Sequence, residues 1–442
     1  MKNPSNGLTG SVVSIYIAGE ACGAITQIFL GDRLGRIRFM QFMCVVVTIA
    51  CAIQTASVNI GMFLFGRFGA GYAVGGLVGT VPIYLSEISA PKIRGMIGGI
   101  SGLGIVFGIM ISNWIGFACS YIPYGSLQWR LPLAIQIPWG IILFIGLWVF
   151  MPNSPRELVR RGKIDEARYE FIKIRSDLHS HEVHEEFVLM KSQIQYEMHR
   201  EITSFREIYK LYRHRVLVSI AVAVLTGLTG VNVIQYYQTT LYKSLGFKSQ
   251  TILCLAGVFG TVSFLSNLAT IKHLPDRWGR RKMLLTGMVT TVVTEIYAAV
   301  MQHATINCVT WLYGAEILPM SIRSKVMGVA AAIHFIVNVG SMLMLLLFFS
   351  SLLTEAGPSA FANIRENYYY VFVACCFVYF FLIYFYFPET KQKTLEEIAA
   401  SFNDRVVEVE EQDVFAERTM MEGKAGVEEV EHRELAEVPS PV

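Results

Sequence analysis

Two charged phrases each occur twice in this chain. GDRLGRIR (31–38) returns as PDRWGRRK (275–282), and SEISAPKIRG (86–95) returns as AEILPMSIRS (315–324). In both copies of the second phrase an acid stands seven positions before an arginine, Glu87 before Arg94 and Glu316 before Arg323. Long apolar runs separate the blocks. A chain that repeats its charged loops in order, with apolar runs between them, folds as two like halves in a membrane.

Span-length apolar runs lie near 8–30, 39–57, 60–86, 95–118, 132–151, 215–238, 251–273, 283–302, 325–353 and 368–387, with a shorter apolar piece at 304–319. The chain is 53% hydrophobic and only 16% charged, against about 25% charged in soluble domains. Runs of about 20 apolar residues cross the hydrocarbon core. The net charge of +3 carries little, because in such a chain the placement of charge matters more. No nucleic-acid partner is expected.

Basic residues gather at 31–38, 88–94, 152–215 and 272–282, while loops 58–59, 119–131 and 239–250 carry few charges. The asymmetry of Lys and Arg places the N-terminus outside and the central loop inside. Five spans precede that loop, so a cytosolic tail requires six after it. Residues 151–215 hold 13 Lys and Arg, with helical periodicity in ELVRRGKIDEARYEFIKIR. They are expected to form short amphipathic cytoplasmic helices. From Asp404 onward, 12 acidic and 4 basic residues with no apolar period point to a disordered tail. The expected divisions are an N-terminal bundle at 1–151, a linker at 152–214, a C-terminal bundle at 215–388 and a cytoplasmic acidic tail at 389–442. No cleavable signal peptide is expected.

No catalytic constellation is present. The eight cysteines sit in or beside apolar runs without metal spacing and read as small buried hydrophobes. His179, His181 and His184 in HSHEVHEE do not match the zinc pattern H-E-x-x-H and read as a solvated helix. A phosphate loop with Lys and Ser or Thr is missing. No metal, no cofactor and no enzyme activity are expected.

The charged phrases have a physical reading. Glycines in GDRLGR allow a tight turn at a helix end. Asp32, Arg36, Glu87, Arg94 and Arg156 can meet across helix ends as an ion network, and Asp276, Arg280, Arg281, Glu316 and Arg323 would form the second copy. Such a network can hold one face of the protein shut. Gly71, Gly75 and Gly79, and then Gly104 and Gly108, are four apart, the spacing of close helix approach in lipid. Glu20, Glu295 and His334 are ionisable groups within apolar runs, and such groups are functional candidates. Glu20 is the candidate proton carrier.

These blocks, with GRFGAGYAVGG, PIYLSEISAPKIRG, QWRLP (128–132), PNSPREL (152–158), LTGVNVIQYY (228–237), WLYGAEILP (311–319) and FPETKQKTLEEI (387–398), resemble the sugar porter family of the major facilitator superfamily, most closely its fungal members. The resemblance covers roughly residues 8–400. It implies an all-α polytopic membrane protein with the major facilitator fold. Two helix bundles would be related by a pseudo-two-fold, here without the first family helix and with a shortened ninth and tenth pair. It also implies a midplane substrate site from Asn232, Gln235, Tyr236, Tyr237, Trp311, His334 and Asn338.

Several positions depart from the family pattern. Asn153 stands where an acid is usual. Gly102, Thr226-Gly227 and His334-Phe335 stand where hydroxyl-binding or aromatic side chains are usual. Asp32 to Glu87 spans 55 residues but Asp276 to Glu316 only 40, and 341–353 looks inserted. The implied function is alternating-access transport of a sugar, polyol or similar solute across a cell membrane by a monomer, with proton coupling open. Export of a bulkier metabolite, or a non-transporting sensor or inactive remnant, are the alternatives.

Overall fold

The computed structural model describes residues 6–175, 181–199, 205–228, 238, 242, 249–273, 278–296, 367–391 and 393–402. Every described element is a helix. The first half contains α1 (Asn6–Leu34), α2 (Arg36–Ala56), α3 (Ile60–Ile88), α4 (Arg94–Cys119), α5 (Ser126–Ala134) and α6 (Ile137–Val149). The linker contributes α7 (Pro155–Arg160), α8 (Ile164–Arg175) and α9 (His181–His199). The second half contributes α10 (Phe205–Leu228), α11 (Ser249–His273), α12 (Arg280–Ile296), α13 (Asn367–Tyr386) and α14 (Leu395–Ser401).

Among the described residues, six segments are long and apolar enough to cross a membrane: Ser11–Leu34, Arg36–Ala56, Ile60–Ile88, Arg94–Cys119, Ser126–Val149 and Ser249–Ile271. The first five agree with the expected spans. The fifth is broken where Pro138 enters at the start of α6, since proline lacks the amide a continuous helix needs. α10 kinks at Tyr212, which departs from helical geometry. The expected span at 325–353 lies outside the described residues.

Side-chain-free contact sets the packing of α1 on α3. A Cβ on Gly23 would lie 1.9 Å from the Tyr72 carbonyl oxygen, and one on Gly75 2.0 Å from that of Glu20. Gly104 and Gly108 behave otherwise: nothing lies within 4 Å of a Cβ there. Among the described residues their spacing therefore marks no helix contact. α4 instead meets α11 of the other half through that helix's glycines, and a Cβ on Gly260 would lie 2.9 Å from the Cα of Met110. Asn113 donates to the Ala256 carbonyl at 3.1 Å, Trp114 Nε1 donates to Thr261 Oγ1 at 2.9 Å, and Phe107 packs on Phe264.

The linker helices enclose a small core of Leu158, Ala167, Phe171, Phe187, Met190 and Ile194. His184 is fully buried, contrary to the solvated reading, because it falls on the face of α9 turned toward this cluster. Cys22 is exposed, so the buried reading of the cysteines fails there.

Candidate functional site

The described charged network starts at a backbone requirement. α1 ends at Leu34 and α2 begins at Arg36, and Gly35 between them has φ +91. Only glycine takes that conformation without strain. The turn brings Arg36 inward, where it is buried. Its Nη1 bonds Asp32, four residues earlier, and the Gly31 carbonyl at 3.3 Å, while Nη2 donates to Glu87 Oε1 at 3.1 Å. The other Glu87 oxygen accepts from Ser154 Oγ at 2.6 Å.

α7 closes this network from above. Ser154 caps it, accepting from the Glu157 amide, and Pro155 follows at the first helical position. Arg160 pairs with Asp32 at 3.1 Å, and Arg161 pairs with Glu157 at 2.9 Å. Glu157 Oε2 also accepts from the Arg36 amide at 2.9 Å. An otherwise orphan donor at the start of α2 is thus satisfied by a carboxylate.

A second group of bonds ties the halves together. Arg156 Nη1 pairs with Glu396 Oε1 at 2.7 Å, and both side chains are buried. Burial, the largest single influence, pushes the Glu396 carboxyl up, but the Arg156 guanidinium, a backbone hydrogen bond and the charge of Arg94 together hold the group below the ordinary carboxylate range. Burial works most strongly against the Arg156 charge too, and the carboxylates of Glu396, Glu186 and Glu87 together override it, raising that group. Arg94 donates to the Lys393 carbonyl at 2.9 Å, and Arg215 to the Ala399 carbonyl at 2.8 Å. α14 therefore lies clamped between α4, α7 and α10. Its own start is closed by a capping box between Thr394 and Glu397. Below it, one apolar cluster joins Ile83 of α3 to Val216, Met283, Phe387, Leu395 and Ile398 of the second half.

The repeat is partly visible in three dimensions. Gly279 also has φ +91, and Glu389 Oε2 accepts from the Arg281 amide at 3.2 Å. Glu389 thus serves α12 as Glu157 serves α2. Arg281 does not play the part of Arg36: its guanidinium donates to the Tyr384 carbonyl and lies 5.6 Å from the Tyr384 ring. In the repeat it aligns with Ile37, while Arg280 aligns with Arg36. Of Arg280 only the backbone is described, at the start of α12. Asp276, Glu316 and Arg323 lie outside the described residues. So do Asn232, Gln235, Tyr236, Tyr237, Trp311, His334 and Asn338.

Arg36, Asp32 and Glu87 meet as expected. Arg156 turns chiefly to Glu396, and Arg94 bonds a backbone oxygen of the tail. Asn153, where the lost acid was noted, is exposed. Glu20 is buried on α1, and among the described residues no hydrogen bond or ion pair reaches its carboxylate. Sequence reasoning missed Ser154, Glu157, Arg160, Arg161 and Glu396. The available signal was the spacing S-x-x-E and T-x-x-E just after Pro152 and Pro388, a helix-start signature following the last span of each half.

Comparison with known proteins agrees with this architecture. The family described as "Sugar (and other) transporter" matches residues 1–305 and 291–402. The MFS-type transporter criB of Aspergillus cristatus is 33% identical over 359 residues, covering 75% of this chain and 77% of that protein. The low-affinity glucose transporter HXT3 of Saccharomyces cerevisiae is 29% identical, covering 90% of this chain and 74% of that protein. The proton:xylose symporter XylE bound to 6-bromo-6-deoxy-D-glucose superposes with TM-score 0.77 at 20% identity, covering 90% and 91% of the two chains. The inward-open form of XylE from E. coli gives TM-score 0.60 at 18% identity, covering 90% and 91%. The chain has the major facilitator fold and is a multi-pass membrane protein of the sugar (and other) transporter family.

Proposed function

We propose that this protein is a secondary transporter that moves a sugar, polyol or related small organic solute by alternating access, with the charged network as its inner gate. The observation that carries this reading is the buried Arg156–Glu396 pair, which bridges the linker of the first half and the end of the second. A buried pair is costly to break, at about 3–5 kcal/mol when one partner is removed. When both partners separate into water each regains its hydration, so the pair biases the two-state equilibrium by less than that removal cost. Opening the inner face must separate these two residues.

The basic ends of the helices face the cytoplasm of a cell membrane in this reading, and the N-terminus lies outside. The bundles comprise 1–151 and 215–388, joined by the linker at 152–214. The protein works as a monomer. The solute binds at the midplane through Asn232, Gln235, Tyr236, Tyr237, Trp311, His334 and Asn338, and Asp276, Arg280, Glu316 and Arg323 complete the second network. Glu20 carries the proton if transport is coupled, a role supported by its burial without a described partner.

Uptake of labelled sugars and polyols in yeast lacking its own hexose carriers tests the reading. Arg156→Glu and Glu396→Arg are each expected to reduce uptake, and the double exchange to restore much of it. Background uptake by the native chain with every solute offered would reject import. Glu20→Gln should abolish the pH dependence of uptake while leaving counterflow exchange. A second reading, export of a bulkier metabolite, is favoured by Gly102 and Thr226-Gly227 standing where the family has hydroxyl-binding side chains. It predicts accumulation of that metabolite inside cells deleted for the protein.

A further inference from the structure

A cavity of about 460 Å3 opens where α10, α12, α13 and α14 come together, lined by His214, Arg281, Tyr386, Pro388, Ser401 and Phe402. Among the described residues no carboxylate lines it. The Arg281 guanidinium donates to the Tyr384 carbonyl, yet its Nε is buried with no hydrogen-bond acceptor. His214 is exposed, with its ring 5.5 Å from that of Phe402 and 6.2 Å from that of Tyr386. The nearest acid along the chain, Glu389, already accepts from the amides of Thr390, Lys391 and Arg281.

The surroundings indicate the kind of ligand. Lys210, Arg213 and Lys282 lie exposed on the same helix ends. Phe385 also lines the cavity, and Phe377, Phe381 and Phe385 follow one another at four-residue spacing on α13, all exposed, a face that continues away from the basic end. Tyr384 and Tyr386 stand at the boundary. Aromatic residues at the boundary between an apolar face and a basic one mark the headgroup level of a bilayer.

We propose that this cavity binds the phosphate headgroup of an anionic phospholipid. The Arg281 guanidinium and the His214 imidazole face its oxygens, and the acyl chains lie along Phe377, Phe381 and Phe385. The assignment rests on the membrane-spanning fold and is independent of the solute carried.

Native mass spectrometry of the full chain in detergent tests it. Phosphatidylinositol should be retained and phosphatidylcholine largely released. Arg281→Gln should weaken phosphatidylinositol retention about fivefold, the effect expected from one basic group at an anionic surface. His214→Gln should weaken it further, and Arg281→Lys should keep most of it. Equal retention of both lipids would overturn the proposal, as would retention unchanged in Arg281→Gln and His214→Gln. Displacement of the lipid by millimolar inorganic phosphate would assign the cavity to a soluble anion and reject the lipid. Should Arg281→Gln not fold, His214→Gln and the lipid comparison decide alone.

Discussion

Arg36 binds oxygens from three places: Asp32, the Gly31 carbonyl and Glu87. It can do so because Gly35 turns the chain with φ +91. A Cβ at Gly35 would lie 2.1 Å from Glu157 Oε1, so Gly35→Ala is strained in its backbone and clashes as well. Strain of this kind costs about 1–3 kcal/mol, and the variant should melt at a lower temperature in detergent than the native chain. Gly279→Ala should behave alike, since its Cβ would meet Glu389 Oε2 at 2.5 Å. Glu396 gives stability a pH signature. Its folded pKa lies below the ordinary value of 4.5. Its stabilising contribution is therefore complete above that value and disappears as pH falls through the lowered one. The melting difference between the native chain and Glu396→Gln should stay constant from about pH 5 to 8 and shrink only in stronger acid.

Among the described elements, α1 and α3 form the tightest seam. Gly23→Leu or Gly75→Leu would force backbones apart where a bare Cβ already overlaps a carbonyl oxygen, and expression of folded protein should collapse. Gly108→Leu meets open space and should change the melting temperature little, as at other uncrowded surface positions. This contrast separates what the sequence disclosed from what it did not. Four-residue glycine spacing was legible for both α3 and α4, but spacing cannot tell which face finds a partner. The helix bounds of the first half were legible from apolar runs ended by charge. The role of α14 was not, because a short acidic segment after the last span resembles the start of a disordered tail. Only its threonine and glutamate at capping distance distinguish it. Asp32, Arg36 and Glu87 were legible because the repeat flags them. Glu396 was not, since its partner Arg156 lies 240 residues away. The family match also breaks into two overlapping pieces, ending at 305 and resuming at 291, within the stretch where the second charged interval is 15 residues shorter than the first.

In the whole molecule, the two halves meet along α4 and α11 and again through α14. The first seam pairs neutral side chains and aromatic rings, including Trp114 with Thr261 and Phe107 with Phe264. The second is closed by ions and backbone oxygens. Truncation after Pro388 would remove the second and leave the first. The shortened chain should still insert and reach the membrane, while uptake falls, and fluorescence of a tagged version alongside labelled-solute uptake would separate these two outcomes.

The glycine seam between α1 and α3 has one more consequence. Two helices in backbone contact have no slack, so they travel as one plank. Cys22 lies exposed on that plank. A spin label or dye on this native thiol would report the displacement of both helices at once, and distances from it to a second label on α11 would read the swing of one half against the other.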